Sequence, residues 1–135
     1  MSYANSGAVQ AAVYDRLAGD AALAALVGGA IHDALPPGPV VGPYVSLGPE
    51  SVRDASDATG AGAWHDLTVS VVSDAAGFAA AKAVAAAVSD ALLGAPLVLA
   101  QGHLVGLWFL RARARRVDKA EMRRIDLIFR ARVEG

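Results

Sequence analysis

The sequence predicts an α+β fold, an antiparallel sheet with helices packed on one face and a long β-hairpin at the C-terminal end. Three observations carry that expectation. Helical spacing opens the chain, with Val9, Val13 and Leu17 recurring at four-residue steps. In the middle, His65, Leu67, Val69 and Val71 alternate with Trp64, Asp66, Thr68 and Ser70, the period of a half-buried strand. The C-terminal region then repeats such alternation twice around a charged turn.

Taken in order, Asn5 or Ser6 caps the first helix and Gly19 with Asp20 ends it. Asp20 in turn caps a second, short helix that stops before Gly28 and Gly29. Residues 30–34 read as a brief extended piece. Pro36, Pro37 and Pro39 form a stiff connector that neither a helix interior nor a central strand accepts. Residues 44–47 read as a short strand closed by Gly48 and Pro49. Residues 50–62 are polar and small throughout and read as a loop, either an arm that orders against a neighbour or a flexible excursion.

After the central strand, Ser73 and Asp74 cap a helix over residues 75–93, with Phe78, Ala81, Ala85, Val88 and Leu92 as its core stripe. Alanine covers much of the rest. That surface lets another backbone approach closely, though helix propensity alone also favours it. Two strands finish the chain. In the first, Val105, Leu107 and Phe109 alternate with Leu104, Trp108 and Leu110, so both faces are apolar, as in a central strand. It continues into Arg111, Arg113 and Arg115, which share one face. A turn near Asp118 and Lys119 leads to the second strand. There Ile125, Leu127, Phe129 and Val133 lie on one side, with Arg124, Asp126, Arg130 and Arg132 on the other.

Composition bounds what such a fold does. A chain of 135 residues, 55% hydrophobic and 19% charged, suits one domain over residues 1–135 with one real core. It contains no cysteine, which removes disulfides, thiolate metal sites and thiol nucleophiles. The polar N-terminus lacks the basic and apolar regions of a signal peptide. No apolar run approaches the roughly 20 residues of a membrane span, so a soluble protein is expected. The net charge of −1 hides an asymmetry. Residues 1–102 carry three basic residues against nine acidic ones, a balance of −6, and residues 103–135 carry nine against four, a balance of +5. Such a two-faced chain suits head-to-tail or ring contacts, or a polyanion on one side.

Chemistry is hard to find. His32, His65 and His103 are far apart, none at metal-ligand spacing, and His65 reads as a hydrogen-bonded core histidine. Asp20, Asp33 and Asp74 fall at element boundaries, where capping accounts for them. Ser46, Ser70 and Ser73 lack the setting of an activated nucleophile. Gly60 and Gly62 precede a strand, so no helix-terminal amides face a phosphate there. We expect no enzyme and no cofactor.

The strongest local signal is basic: Arg111, Arg113, Arg115, Arg116, Lys119, Arg123 and Arg124. It reads as contact with phosphates or an acidic partner surface, or as a solvated hairpin tip whose arginines shield strand edges. The absence of aromatics between these charges in sequence argues against a base-stacking platform.

The order of motifs resembles the phage tail-terminator (tail-completion) family, including members from gene transfer agents. The matching features are the N-terminal helix, residues 20–29 (DAALAALVGG), residues 31–38 (IHDALPPG) and residues 43–48 (PYVSLG). The polar loop, residues 65–71 (HDLTVSV), the alanine-rich helix after Asp74 and an arginine-rich hairpin ending RARVE at residues 130–134 complete the match. The resemblance implies a homo-hexameric ring on the head-proximal end of a tail tube, which stops tube growth and docks head-completion or connector proteins. DNA would pass through its lumen without sequence-specific binding. It implies a place in the virion tail, with assembly in the bacterial cytoplasm and no membrane partner. No residue roles transfer from the family. An interface or lumen set of Arg111, Arg113, Arg115, Arg116, Lys119, Arg123, Arg124 and Arg53 rests on charge and position alone. Two other classes stand beside this reading: a head-completion stopper or tail-tube subunit of the same particle, and a cytosolic α+β binding module.

Overall fold

Val9, Val13 and Leu17 are buried along one side of α1 (Ser6–Ala18), as their spacing requires. The structure, a computed structural model, describes residues 3–33, 42–58, 60–117 and 122–135. The Pro36, Pro37 and Pro39 connector and the turn at Asp118 and Lys119 lie outside these residues. Helix α2 (Ala21–Val27) starts where Asp20 Oδ2 accepts the Leu23 amide at 2.9 Å, the expected cap. Asn5 occupies the cap position of α1, but its side chain makes no capping bond and is buried.

Five strands follow: β1 (Ile31–His32), β2 (Tyr44–Asp54), β3 (Gly62–Ser73), β4 (His103–Arg116) and β5 (Arg123–Glu134). They form one sheet in the order β1-β2-β3-β5-β4. All neighbours are antiparallel except β1 and β2, where Ile31 lies opposite Val45 in parallel, so the sheet is mixed. The α+β class and the C-terminal hairpin are as expected.

Three expectations are corrected. Strand β2 does not stop at Gly48 and Pro49. A bulge between Leu47 and Glu50 absorbs the proline, which has no amide to donate, and pairing resumes through Asp54. About half of the polar stretch 50–62 is therefore strand, and Asp57 pairs with Gly60 between the two strands. The long helix α3 (Ala79–Leu93) begins later than Ala75. The Ala75 amide donates instead to Ser73 Oγ at 3.1 Å, and Gly77 at φ 74° holds a left-handed conformation that helix cannot continue through. Finally, β4 is an edge strand and not a central one, because β5 inserts between it and β3. Its two apolar faces therefore remain partly uncovered, with Val105, Trp108, Phe109 and Leu110 all exposed.

The three helices cover one face of the sheet. Helix α3 packs on β3, β5 and β4, while α1 packs on β1 and α3, and α2 fills the angle between α1 and α3. Beneath them Val45, Leu67, Val69 and Val71 meet Ile125, Leu127, Phe129 and Val133 in one apolar cluster. Phe129 is fully buried and meets Phe109 edge-on at 5.8 Å. Arg16 joins the helices by a different chemistry. Its guanidinium donates to the carbonyl of Ala91 in the last turn of α3 and to those of Ala95 and Pro96 just beyond it, at 2.9–3.1 Å.

Candidate functional site

The opposite face of the sheet carries no helix among the described residues, and its side chains follow from the register. Strand alternation turns every second residue of β2, β3, β5 and β4 to this side, so they align in rungs. Arg53, Trp64, Arg132 and Gly106 make the first, and Ser51, Asp66, Arg130 and Trp108 the second. Thr68, Ile128 and Arg111 follow. Ser46, Ser70, Asp126 and Arg113 come next, then Tyr44, Val72, Arg124 and Arg115. Seven arginines thus share this face with Asp66, Asp126 and, at its end, Glu134, a balance of +4.

The inner arginines are tied down. Arg130 grips Asp66 with two bonds of 2.8 and 3.0 Å, and these hold the Asp66 carboxyl below its ordinary range. Arg124 donates to Asp126 at 2.9 Å and to Ser70 Oγ at 3.1 Å, while Ser70 donates to Asp126 at 2.6 Å. Burial alone would raise the Asp126 pKa; the hydrogen bonds from Ser70 and Arg124 overcome it and lower the value. Arg132 reaches the Ala55 carbonyl at 3.0 Å and Glu134 at 3.5 Å.

The aromatic rings lie among these cations. Arg53, Arg130 and Arg132 each place a guanidinium 5.2–5.9 Å from the Trp64 ring. Trp108 lies 6.0 Å from Trp64 at 49°. The indole of Trp108 rests over Gly106, where a Cβ would come within 2.6 Å of it, so only glycine leaves room. These rings lie among Arg53, Arg130 and Arg132, beside the Arg111–Arg124 cluster and not between its charges. Cross-strand pairing brings Trp64 and Trp108 together from distant segments, and no local pattern announces it.

The eight basic residues singled out from sequence divide. Arg53, Arg111, Arg113, Arg115 and Arg124 share the open face. Arg116 and Arg123 pair with each other on the helix side, Arg123 lying 5.6 Å from the Phe78 ring. Lys119 lies outside the described residues. Arg111, Arg113, Arg115 and Arg116 are exposed and make no salt bridge among the described residues. A groove of about 380 Å³ runs between Pro49 and Thr68 on one side and Arg111, Arg113 and Arg124 on the other. It is open, basic and shallow, a shape for docking a surface.

His65 is fully buried on the helix side, as its alternation predicts, yet neither ring nitrogen has a hydrogen-bond partner among the described residues. This corrects the expected hydrogen-bonded histidine. Burial lowers its pKa against the opposing pull of Glu50, so the ring is neutral. A small cleft beneath α1, lined by Val13, Leu47, Leu67 and Val69, measures about 20 Å³, room for no more than a water. Among the described residues no group of three His, Asp or Glu converges as metal ligands do, and no helix is long and apolar enough to cross a membrane.

The fold and this broad charged face define a class of protein that works through its surfaces. The family model for tail completion protein gp17 matches residues 11–134, and the chain belongs to that family of structural phage-tail proteins. It is also similar to a chain in a structure of the virion of a native gene transfer agent particle. That match has 74% identity and a TM-score of 0.93, and covers 99% of this chain and 100% of the other. A comparison with curated proteins finds no match.

Proposed function

We propose that this chain is the tail terminator of a phage-like particle, acting as a single domain over residues 1–135. Six copies form a ring on the head-proximal end of the tail tube, stop its polymerisation and present a docking face to head-completion or connector proteins. The mechanism is templated assembly. No bond is made or broken, and the chain is not an enzyme. The observation that carries the reading is family membership across residues 11–134, and the match to a virion chain supports a place in the particle.

The open face suits this work. Exposed arginines that make no salt bridge among the described residues attract an acidic protein surface or the phosphates of DNA in a lumen, through long-range charge rather than base recognition. Arg111, Arg113, Arg115, Arg124 and Arg53 are the residues we assign to that interface or lumen. Arg116, Arg123 and Lys119 stand outside this face or outside the described residues.

The test is native mass, measured with and without the tail-tube protein of the same particle. A hexamer, or a monomer that forms rings on tube ends and halts their growth, is the expected result. Long self-stacked filaments would indicate a tube subunit instead. A monomer indifferent to tubes would remove the terminator reading.

A further inference from the structure

The two flanks of the sheet differ in chemistry, and the difference names the contact between copies. One flank is the edge of β4. Toward the helices it shows Phe109, with Val105 exposed at a bulge, and toward the open face Arg111, Arg113 and Arg115, which make no salt bridge among the described residues. No acidic residue occurs in β4. Long, apolar edge strands recruit another chain unless something covers them.

The other flank, beyond β1 and β2, is a concavity of about 550 Å³ beside α1. Tyr3, Tyr14, Asp15, Asp33 and Glu50 line it. Glu50 accepts hydrogen bonds from Tyr3 and Ser6, and Asp33 from Gln10, but no cation reaches any of the three carboxylates among the described residues. Four strand spacings separate the flanks, roughly 19 Å. That exceeds the Debye length of about 8 Å at physiological salt, so the two clusters do not neutralise each other within one copy.

Resting on the ring reading above, we propose that the β4 edge of one copy seats in the acidic concavity beside α1 of the next. The contact covers apolar side chains that water now touches and brings arginines without a salt bridge against carboxylates that no cation reaches among the described residues. A symmetric pairing of β4 with β4 would set arginine against arginine. The contact is therefore heterologous, the kind that closes into a ring when the rotation between copies permits.

Charge reversal with mixing tests it. One variant carries Arg113→Glu and Arg115→Glu; the other carries Asp15→Lys and Asp33→Lys. Each alone is expected to lose ring formation at least tenfold, in solution or on tube ends, while keeping the wild-type circular dichroism spectrum. Mixed in equal amounts they are expected to assemble, because every contact between unlike copies is again opposite in charge. Either variant assembling alone as well as wild type overturns the inference, as does a folded mixture that stays unassembled. Wild-type protein that forms no ring even with tubes overturns the ring reading and this inference with it.

Discussion

At the scale of single residues, the unusual groups are a buried histidine and a tryptophan laid over a glycine. His65 is neutral in the folded protein because burial depresses its pKa below the ordinary value of 6.5. The unfolded chain takes up a proton near that ordinary value while the folded one resists. Stability is thus complete above it and declines as pH falls from there toward the folded value. Thermal melts between pH 7 and pH 5 are expected to show this decline, and His65→Leu, similar in size and without charge, should flatten it. An unchanged slope in the variant would assign the acid sensitivity elsewhere. Asp66 and Asp126 act in a lower window. Their pKa values are depressed, so their contribution is present at neutral pH and is lost as pH falls through those values. Gly106→Val must push the Trp108 indole off its seat. Trp108 is already 47% exposed and can swing outward, so we expect a cost of about 1 kcal/mol, the lower end for overpacking. Tryptophan emission should shift to the red; emission identical to wild type would contradict the geometry.

At the scale of elements, Arg16 decides how firmly α3 is held at its C-terminal end. Its three carbonyl contacts bridge α1 to α3, and Arg16→Ala leaves those carbonyls to water. The expected loss is about 2 kcal/mol in urea unfolding, typical of hydrogen bonds to a charged donor. A loss under about 0.5 kcal/mol, the range of ordinary surface changes, would mean that solvent replaces the guanidinium without penalty. Sequence reading recovered most such elements. The four-residue steps of α1, the Asp20 cap and the alternation of β3 and β5 are all local signals, and each appears where expected. It missed what depends on distant partners. Pro49 looks like a strand terminator until the pairing with β3 shows a bulge that carries the strand past it. The apolar faces of β4 look central because alternation reports the chemistry of a strand and not its place in the sheet. The candidate site was half legible for the same reason. Alternation put Arg111, Arg113 and Arg115 on one face, but only the register adds Trp64, Trp108 and Arg130 to it.

At the scale of the molecule, the charge imbalance of −6 before residue 103 and +5 after it becomes an axis across the sheet. The acidic concavity lies at one flank and the arginine row at the other. Charges this exposed add little to the stability of one copy, since surface pairs contribute about 0–1 kcal/mol and these form no salt bridge among the described residues. They act on encounter instead: complementary fields steer association, and salt screens the steering. Two measurements should therefore separate. Raising salt from about 50 mM to about 500 mM shortens the Debye length roughly threefold and should slow ring assembly by about tenfold. The melting temperature of the isolated chain should barely move over the same range. The neutral variant Arg111→Gln, Arg113→Gln and Arg115→Gln should assemble slowly at low salt and lose most of the salt dependence, with the fold intact. Assembly equally fast at both salt concentrations would assign the driving force to the apolar residues of β4, Val105 and Phe109, and leave the arginine row free to face DNA.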